Sequence, residues 1–425
     1  MKHSLDTFGL YRNESIFRFV IRVRIVMKDP VDRTILESAV NTAIKRYPYF
    51  AVSVGLDEDG AYTLRPNPER VVVLGKQRRL PNLGSKEVNG HLLFVQCEGR
   101  EINLHISHSL CGGRGVQPWV MTTVYQYVAE KYQITPNAPS IRKPDSPLLP
   151  GEAEEPTLEM LKTEPPIFRY QSQNPAVLSW DYLNGMFNPF RRKPHFWVFS
   201  FAQKDIMAFI KNNDASVAAF FLIVTAKALD KVLPEKIAVI GGETAHNPSA
   251  SLGLPNTHCD LLSHVHIDYT REQLKWDMEK LGTMTRGQIM LQTDPSVALE
   301  ELGRKLRLME ELETVRGLKE KLAYYKKHDP SNGKDAQHGT YIANYTGWMD
   351  WGEVAGFVES FVYIVEGHIL LEVSSIGDRI FLSFMQLVKE KKYTDAFKAV
   401  LTELGIPFRI EGPYPKQLSR HELPK

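Results

Sequence analysis

The sequence has only three cysteines, Cys97, Cys111 and Cys259. That is too few for a disulfide framework, and such scarcity suits a reducing compartment. Long apolar runs are also missing, since the longest, Val217 to Val224, falls far short of a membrane span. Neither sign of charge dominates, with 52 Lys and Arg against 50 Asp and Glu and a formal net charge of +2. The basic runs are short ones such as Arg191-Arg192-Lys193, so the electrostatic footprint of a nucleic-acid binder is absent. Met1-Lys-His-Ser leads into a mixed, strand-like stretch and not into the apolar core of a signal peptide. No repeat is visible in the letters. These absences point to a cytoplasmic protein without a membrane span or a nucleic-acid partner.

What is present is ordinary globular composition, 43% hydrophobic and 24% charged. At 425 residues the chain is long enough for two domains. Phe17 to Val26 alternates as a long strand with one charged face, Arg18, Arg22 and Arg24. Asp29-Pro30 reads as an N-cap followed by a first-turn proline. The helix after it places Ile35, Leu36, Ala39, Val40, Ala43 and Ile44 on one stripe and ends at Tyr47-Pro48. Short strands are expected near 51–56 and 71–74. His91–Gln96 and Ile102–His108 read as a hairpin turning through Glu98-Gly99-Arg100.

Eleven of the 26 prolines lie between Pro136 and Pro194. This stretch reads as a crossover packed over the surface and joining two domains, with Trp180, Tyr182, Phe187 and Phe190 too aromatic for a free linker. The expected units are therefore an N-terminal domain over 1–135, the Pro-rich crossover over 136–194 and a C-terminal domain over 195–425. The last opens with the apolar strand His195–Phe201 and a short helix over 203–211. A strongly apolar helix, Val217–Val232, follows, capped by Asp214 or Ser216. Strands are expected at 237–240, 264–267, 341–343, 361–365, 368–374 and 380–387. Helices are expected at 271–281, across the charge-dense stretch 297–326, and at 393–404.

The stretch most suggestive of chemistry is Ile102 to Gly115. Ile102, Leu104, Ile106 and His108 alternate on one strand face, with Asn103, His105 and Ser107 on the other. A turn of Cys111, Gly112, Gly113, Arg114 and Gly115 follows, then a helix with Val116, Trp119, Val120, Val124 and Val128 on one stripe. An imidazole at the end of an apolar strand is fixed by the sheet yet reachable from a cleft, which is how a general base is presented. His105, on the opposite face, packs or meets solvent.

The order of elements resembles the acyltransferase superfamily that includes chloramphenicol acetyltransferase, carnitine and plant acyltransferases, alcohol acetyltransferases and peptide-synthetase condensation domains. Their shared signature is His-x-x-x-Asp-Gly, often preceded by a second histidine. Here it reads His108-Ser109-Leu110-Cys111-Gly112-Gly113, with Gly112 where the family has aspartate and Ser107 where a preceding histidine often stands. Leu5-Asp6-Thr7-Phe8 to Tyr11, Val31-Asp32 to Phe50, Phe199-Ser200-Phe201 with Ser216–Phe220, and the Asn344-Tyr345-Thr346-Gly347 turn extend the likeness over nearly the whole chain.

The resemblance implies an α/β (α+β) fold of two chloramphenicol-acetyltransferase-like domains, each a mixed sheet with packed helices, and an active-site tunnel between them. It implies transfer of an acyl group from a thioester to a hydroxyl or amine, with His108 as general base. It also implies no tightly bound cofactor: acyl-CoA or an acyl-phosphopantetheine would be the cosubstrate, with a small-molecule acceptor and an acyl carrier protein as candidate partners. Cys111, Asn344, Thr346 and Trp348 are candidate tunnel lining, and Trp348 and Trp351 are each either core or channel. The family aspartate is usually structural, so its replacement by Gly112 need not remove the base. A catalytically weakened module that binds an acyl carrier or partner protein is the alternative.

Other readings of the same residues are weaker. Cys111 beside His108 invites a Cys–His nucleophile, but a small buried thiol is the simpler account. The glycines before a helix suit phosphate, yet they lack the P-loop ending and spacing, and a turn needing glycine dihedrals suffices. Arg114 reads as a solvated turn residue. His258, Cys259 and Asp260 with His264 and His266 are the one candidate metal cluster. His264 and His266 share a strand face that would suit two ligands, but no standard zinc spacing fits, and histidines lining a cleft or surface are the simpler account.

Overall fold

The computed structural model describes residues 5–12, 18–161, 168–171, 187–329 and 339–425. Its first part runs α1 (Leu5–Tyr11), β1 (Val20–Met27), α2 (Arg33–Ala43), β2 (Val52–Leu56), β3 (Tyr62–Pro66), β4 (Val73–Leu74), β5 (Leu93–Glu98), β6 (Glu101–Ser107) and α3 (Gly113–Tyr132). After the crossover come β7 (Arg192–Ala202), α4 (Gln203–Asn212), α5 (Val217–Asp230), β8 (Val239–His246), β9 (Ser263–Thr270), α6 (Arg271–Leu274), α7 (Met278–Gln292), α8 (Pro295–Thr314) and α9 (Leu318–His328). The chain closes with β10 (Tyr341–Met349), β11 (Val358–Ile364), β12 (Leu370–Ile376), β13 (Arg379–Val388), α10 (Lys392–Glu403) and β14 (Arg409–Pro415).

The expected mixed α/β architecture is present. One sheet has the order β11-β1-β6-β5-β4 and the other β14-β7-β13-β12-β10-β8-β9, with β2 and β3 as a separate pair. β11, from late in the chain, pairs antiparallel with β1 and so completes the first sheet. The core around that sheet likewise takes Cys259, Leu261, Leu302 and Leu306 from the later part of the chain. The second core forms around α5, whose apolar face is nearly continuous because it packs against the large sheet on one side and α10 and α4 on the others. Among the described residues no single helix is long and apolar enough to cross a membrane.

Several local expectations change. The cap of α2 is Asp32, whose carboxylate accepts from the N–H groups of Thr34 at 2.8 Å and Ile35 at 3.1 Å. Asp29-Pro30 lies before the helix and does not cap it. Ser216, not Asp214, caps α5 through Ala219 N at 3.1 Å. The helix expected over 271–281 breaks at 275–277, where Asp277 starts a new one. Asn344-Tyr345-Thr346-Gly347 is not a turn but part of β10, which bulges between Tyr345 and Trp348.

The charged face of β1 is interior, since all eight of its residues are buried. Arg22 donates to Asn103 Oδ1 at 2.9 Å, and Arg24 pairs with Glu101 and stacks 4.3 Å over the Tyr414 ring. The crossover does not simply lie over the surface: Ala138, Ile141 and Glu152 are each at most 3% exposed. Phe187 and Phe190, expected to pack, are 63% and 85% exposed, while Phe17, Trp180 and Tyr182 lie outside the described residues.

Candidate active site

β6 pairs antiparallel with β1 on one side and β5 on the other. His108 follows its last residue, held by a backbone hydrogen bond from its N–H to Phe19 O at 2.9 Å. The imidazole stacks on the Phe19 ring, centroids 4.6 Å apart and planes 13° from parallel. α3 begins at Gly113, and Val116, Trp119, Val120, Val124 and Val128 are all 0% exposed, so the expected stripe anchors the helix to the sheet. Strand end and helix start are thus both clamped, and the histidine sits on the short link between them.

The partner of that histidine comes from far along the chain. Asp260 Oδ2 lies 3.4 Å from His108 Nδ1. A series of buried contacts delivers it there. Arg46 grips Glu152 of the crossover with two hydrogen bonds of 2.9 and 2.8 Å, Tyr49 adds one of 2.6 Å, and Arg142 a further ion pair at 2.9 Å. Burial would raise the Glu152 carboxyl, but these hydrogen bonds and charges bring it down to about 2. The Glu152 carbonyl accepts from His258 N and Nδ1, and His258 Nε2 donates to Asp6 of α1 at 2.9 Å. Burial would lower His258, yet the Asp6 carboxylate raises it above the ordinary histidine value. His258 therefore fixes the backbone of 258–260 over the first turn of α3, and two residues later Asp260 faces His108.

Position 115 shows how close that contact is, because a Cβ there would lie 2.1 Å from the His258 carbonyl oxygen. Glycine is needed at 115 for space. None of Gly112, Gly113 and Gly115 has a positive φ, so the turn does not depend on glycine dihedrals. At Gly112, with φ −81°, a Cβ would stand 3.0 Å from Asp260 Oδ1. Asp260 thus sets a carboxylate against the space that a side chain on residue 112 would enter.

The electrostatics suit a base. Burial pushes His108 below the ordinary histidine value, while Asp260 and the residue's own carbonyl raise it and Arg12 and Lys305 lower it. The ring is therefore mostly neutral at pH 7. Nδ1 is buried 3.4 Å from the carboxylate without a formed hydrogen bond, and the side chain as a whole is 19% exposed. A carboxylate at Nδ1 favours the tautomer with its proton there, leaving the lone pair on Nε2.

The remaining candidates divide. Cys111 is 0% exposed, and burial pushes its thiol well above the ordinary value, so it is a packed thiol and no nucleophile. His105 is also 0% exposed, stacked 4.4 Å from Phe94. Ser107 Oγ lies 2.6 Å from Ser109 Oγ and 2.7 Å from His421 Nε2, so a late histidine supports the motif from behind. Thr346 sits beside the motif turn: its carbonyl accepts from Gln117 of α3 at 3.2 Å, and its Cγ2 lies 3.6 Å from where a Cβ on Gly113 would be. Asn344 bridges strands, accepting from Ala245 N at 2.9 Å and donating to Glu372 at 2.7 Å. Trp348 is 57% exposed and Trp351 1%. Arg114 is exposed on the first turn of α3.

The candidate metal cluster does not converge on one point, for His258 serves Asp6, Asp260 serves His108, and His264 pairs with Glu301. Asp6, His258 and Cys259 do bring donor atoms within 4.8 Å of one another. Both ring nitrogens of His258 face acceptors, however, which leaves no lone pair for a metal. A cavity of about 430 Å³, lined by Arg24, Glu359, Ser360, Glu411 and Tyr414 among others, opens at the far end of β1 and β6 from His108. Asp260, Phe19 and His421 were not assigned to the motif from the sequence, because their contacts with it span 152, 89 and 314 positions of chain.

No family model matches the chain, and no curated protein matches it in sequence. Its fold is similar to that of polyketide synthase associated protein 5 from Mycobacterium tuberculosis, with TM-score 0.59 and 14% identity over 94% of this chain and 96% of that one. It is also similar to F. graminearum TRI101 complexed with coenzyme A and T-2 mycotoxin, with TM-score 0.55 and 12% identity over 95% and 98%. The epimerization domain from the third module of tyrocidine synthetase B matches with TM-score 0.56 and 10% identity over 93% and 94%. These matches establish the fold.

Proposed function

We propose that the chain is an acyltransferase that moves an acyl group from a thioester to the hydroxyl or amine of a small acceptor, with His108 as the general base. The observation that carries this is the His108 imidazole: Nδ1 is buried against Asp260, burial favours the neutral ring, and the side chain keeps 19% of its surface open. Nε2 takes the acceptor proton as the acceptor oxygen or nitrogen attacks the thioester carbonyl. The tetrahedral intermediate then collapses, the C–S bond breaks, and the imidazolium returns the proton to the leaving thiolate. No acyl-enzyme is needed, in keeping with the buried, protonated Cys111. A general base of this kind contributes roughly 10²–10⁴ in rate.

The fold likeness supports the donor class, since TRI101 has been solved with coenzyme A and a mycotoxin bound. Thr346 and Gly113, beside the base, are proposed to line the approach to it, with Cys111 as packing behind. Acyl-CoA and an acyl-phosphopantetheine carrier are both donors of the required thioester.

A second reading, a module that binds an acyl carrier or partner without turnover, is favoured by glycine at position 112. The nearby Asp260 carboxylate weakens that reading. To separate them, the protein is incubated with a panel of acyl-CoA thioesters and hydroxyl or amine acceptors while free thiol is followed. Acceptor-dependent thiol release is expected. No release with any donor, together with tight binding of an acyl carrier, establishes the binding module instead.

A further inference from the structure

The chain leaves β14 at Pro415 and runs back to the first sheet. Lys416 Nζ donates to Glu366 at 2.8 Å, Arg18 donates to the Leu418 carbonyl at 2.6 Å, and Leu418 and Ser419 are buried. Between β4 and β5, Leu83 N donates to the Arg420 carbonyl at 2.7 Å, and the Leu83 carbonyl accepts from Glu422 N at 2.8 Å. His421 stands between those two bonds, and its Nε2 lies 2.7 Å from Ser107 Oγ. Ser107 Oγ in turn accepts from Ser109 N at 3.2 Å and meets Ser109 Oγ at 2.6 Å. The Ser107 carbonyl accepts from Leu110 N at 3.2 Å, closing a turn with His108 at its second position. The Ser107 hydroxyl therefore spans the backbone of His108, from the residue before it to the residue after it.

We infer that His421 is a positioning residue for the His108 centre, acting through the Ser107 hydroxyl on the turn that carries the imidazole. The inference rests on the reading of His108 as the base. A serine hydroxyl offers one O–H and two lone pairs. Here three neighbours take them, Ser109 N–H, Ser109 Oγ and His421 Nε2. Removing the imidazole leaves the hydroxyl free to rotate and weakens its hold on Ser109 N. The same turn is tightly packed from α1, where a Cβ on Gly9 would stand 2.7 Å from Ser109 Cβ and 2.9 Å from the Phe19 ring. Burial pushes His421 down to about 4, so its ring is neutral at pH 7 and adds no positive charge behind His108. Holding the tail does not require this ring. Leu83, Glu366, Arg18 and Arg22, the last donating to the Gln417 carbonyl at 3.4 Å, hold residues 416–422 without it.

The test uses the full chain with isotope-labelled histidines, followed by NMR, the His108 signals being identified by their loss in His108→Ala. His421→Phe keeps a ring and removes the nitrogen at the Ser107 contact. It is expected to move the His108 titration midpoint by about half a unit or more, roughly 3-fold in the protonation equilibrium, because the spacing of the ring from Asp260 changes. It should also lower kcat for thiol release by roughly 10-fold, with KM for the acyl-CoA donor within about 2-fold, since even small misplacement of a catalytic group is costly. His421→Gln, which keeps a polar atom at similar reach, is expected to recover most of both. Ser107→Ala removes the hydroxyl with little change in volume and should reproduce the His421→Phe effects. An unchanged His108 midpoint in folded His421→Phe, or in Ser107→Ala where the larger variant does not fold, overturns the inference. So does a loss in His421→Phe that His421→Gln leaves unrecovered, which marks a packing role alone. A wild-type chain that releases no thiol overturns the acyltransferase reading instead, and the His108 midpoint still decides whether His421 positions that ring.

Discussion

Placing an aspartate at position 112, by Gly112→Asp, should damage this protein. A Cβ at 112 already stands 3.0 Å from Asp260 Oδ1, so the new carboxylate would lie on the order of 4 Å from Asp260. At an effective dielectric constant of about 20, two like charges at that separation repel by about 4 kcal/mol. That equals roughly 3 pKa units, enough to protonate one carboxyl near neutral pH or to drive Asp260 away from His108. Protonation or displacement of Asp260 removes the anion facing Nδ1, and the rate should then fall by at least about 10-fold, with the whole base contribution of roughly 10²–10⁴ as the limit. Gly112→Ala adds only a methyl group at the edge of contact and should stay within a few-fold of wild type. The double variant Gly112→Asp/Asp260→Ala relieves the repulsion and should be more active than Gly112→Asp alone. Steady-state thiol release, with thermal unfolding as the control for folding, reads all three. Wild-type activity in Gly112→Asp, or in a folded Asp260→Ala variant, would refute the proposed part played by Asp260.

Other outcomes follow from the same geometry. The base acts unprotonated and its folded-state pKa is lowered, so kcat/KM should fall only as pH drops through a midpoint below 6.5. Asp260→Asn should move that midpoint lower still, because Asp260 raises the histidine. Cys111→Ser should keep most of the activity. Glu152→Gln breaks a buried, multiply bonded ion pair and should destabilise the chain by about 3–5 kcal/mol in denaturant unfolding. Gly115→Ala, pressed at 2.1 Å against the His258 carbonyl, should cost about 1–3 kcal/mol and lower activity through the displaced Asp260.

The elements with strong periodicity were legible in the sequence. The stripes of α2 and α3, the β5–β6 hairpin and the apolar α5 occur where 3.6- and 2-residue patterns place them, because burial of one face sets those patterns. β14 was missed: it is an exposed edge strand with Gly412 and Pro413 inside and a register shift between Glu411 and Tyr414, so no alternation marks it. The arginines of β1 read as a charged face but not as an interior one, since their partners Asn103 and Tyr414 come from distant strands.

At the site, His108 stood out locally because strand, turn and helix signals converge on it. Asp260 did not. Beside His258 and Cys259 it read as one member of a candidate metal cluster with no zinc spacing, and only the contact of Glu152 with His258 shows why that stretch crosses the start of α3. The glycines of the turn carried a message about space that read as one about dihedrals.

The most direct test of His108 as the base is the thiol-release rate of wild type and His108→Ala with the best donor and acceptor found, at a pH above 7. The account predicts a fall of at least about 10²-fold with the unfolding temperature essentially unchanged. A His108→Ala rate within a few-fold of wild type contradicts it.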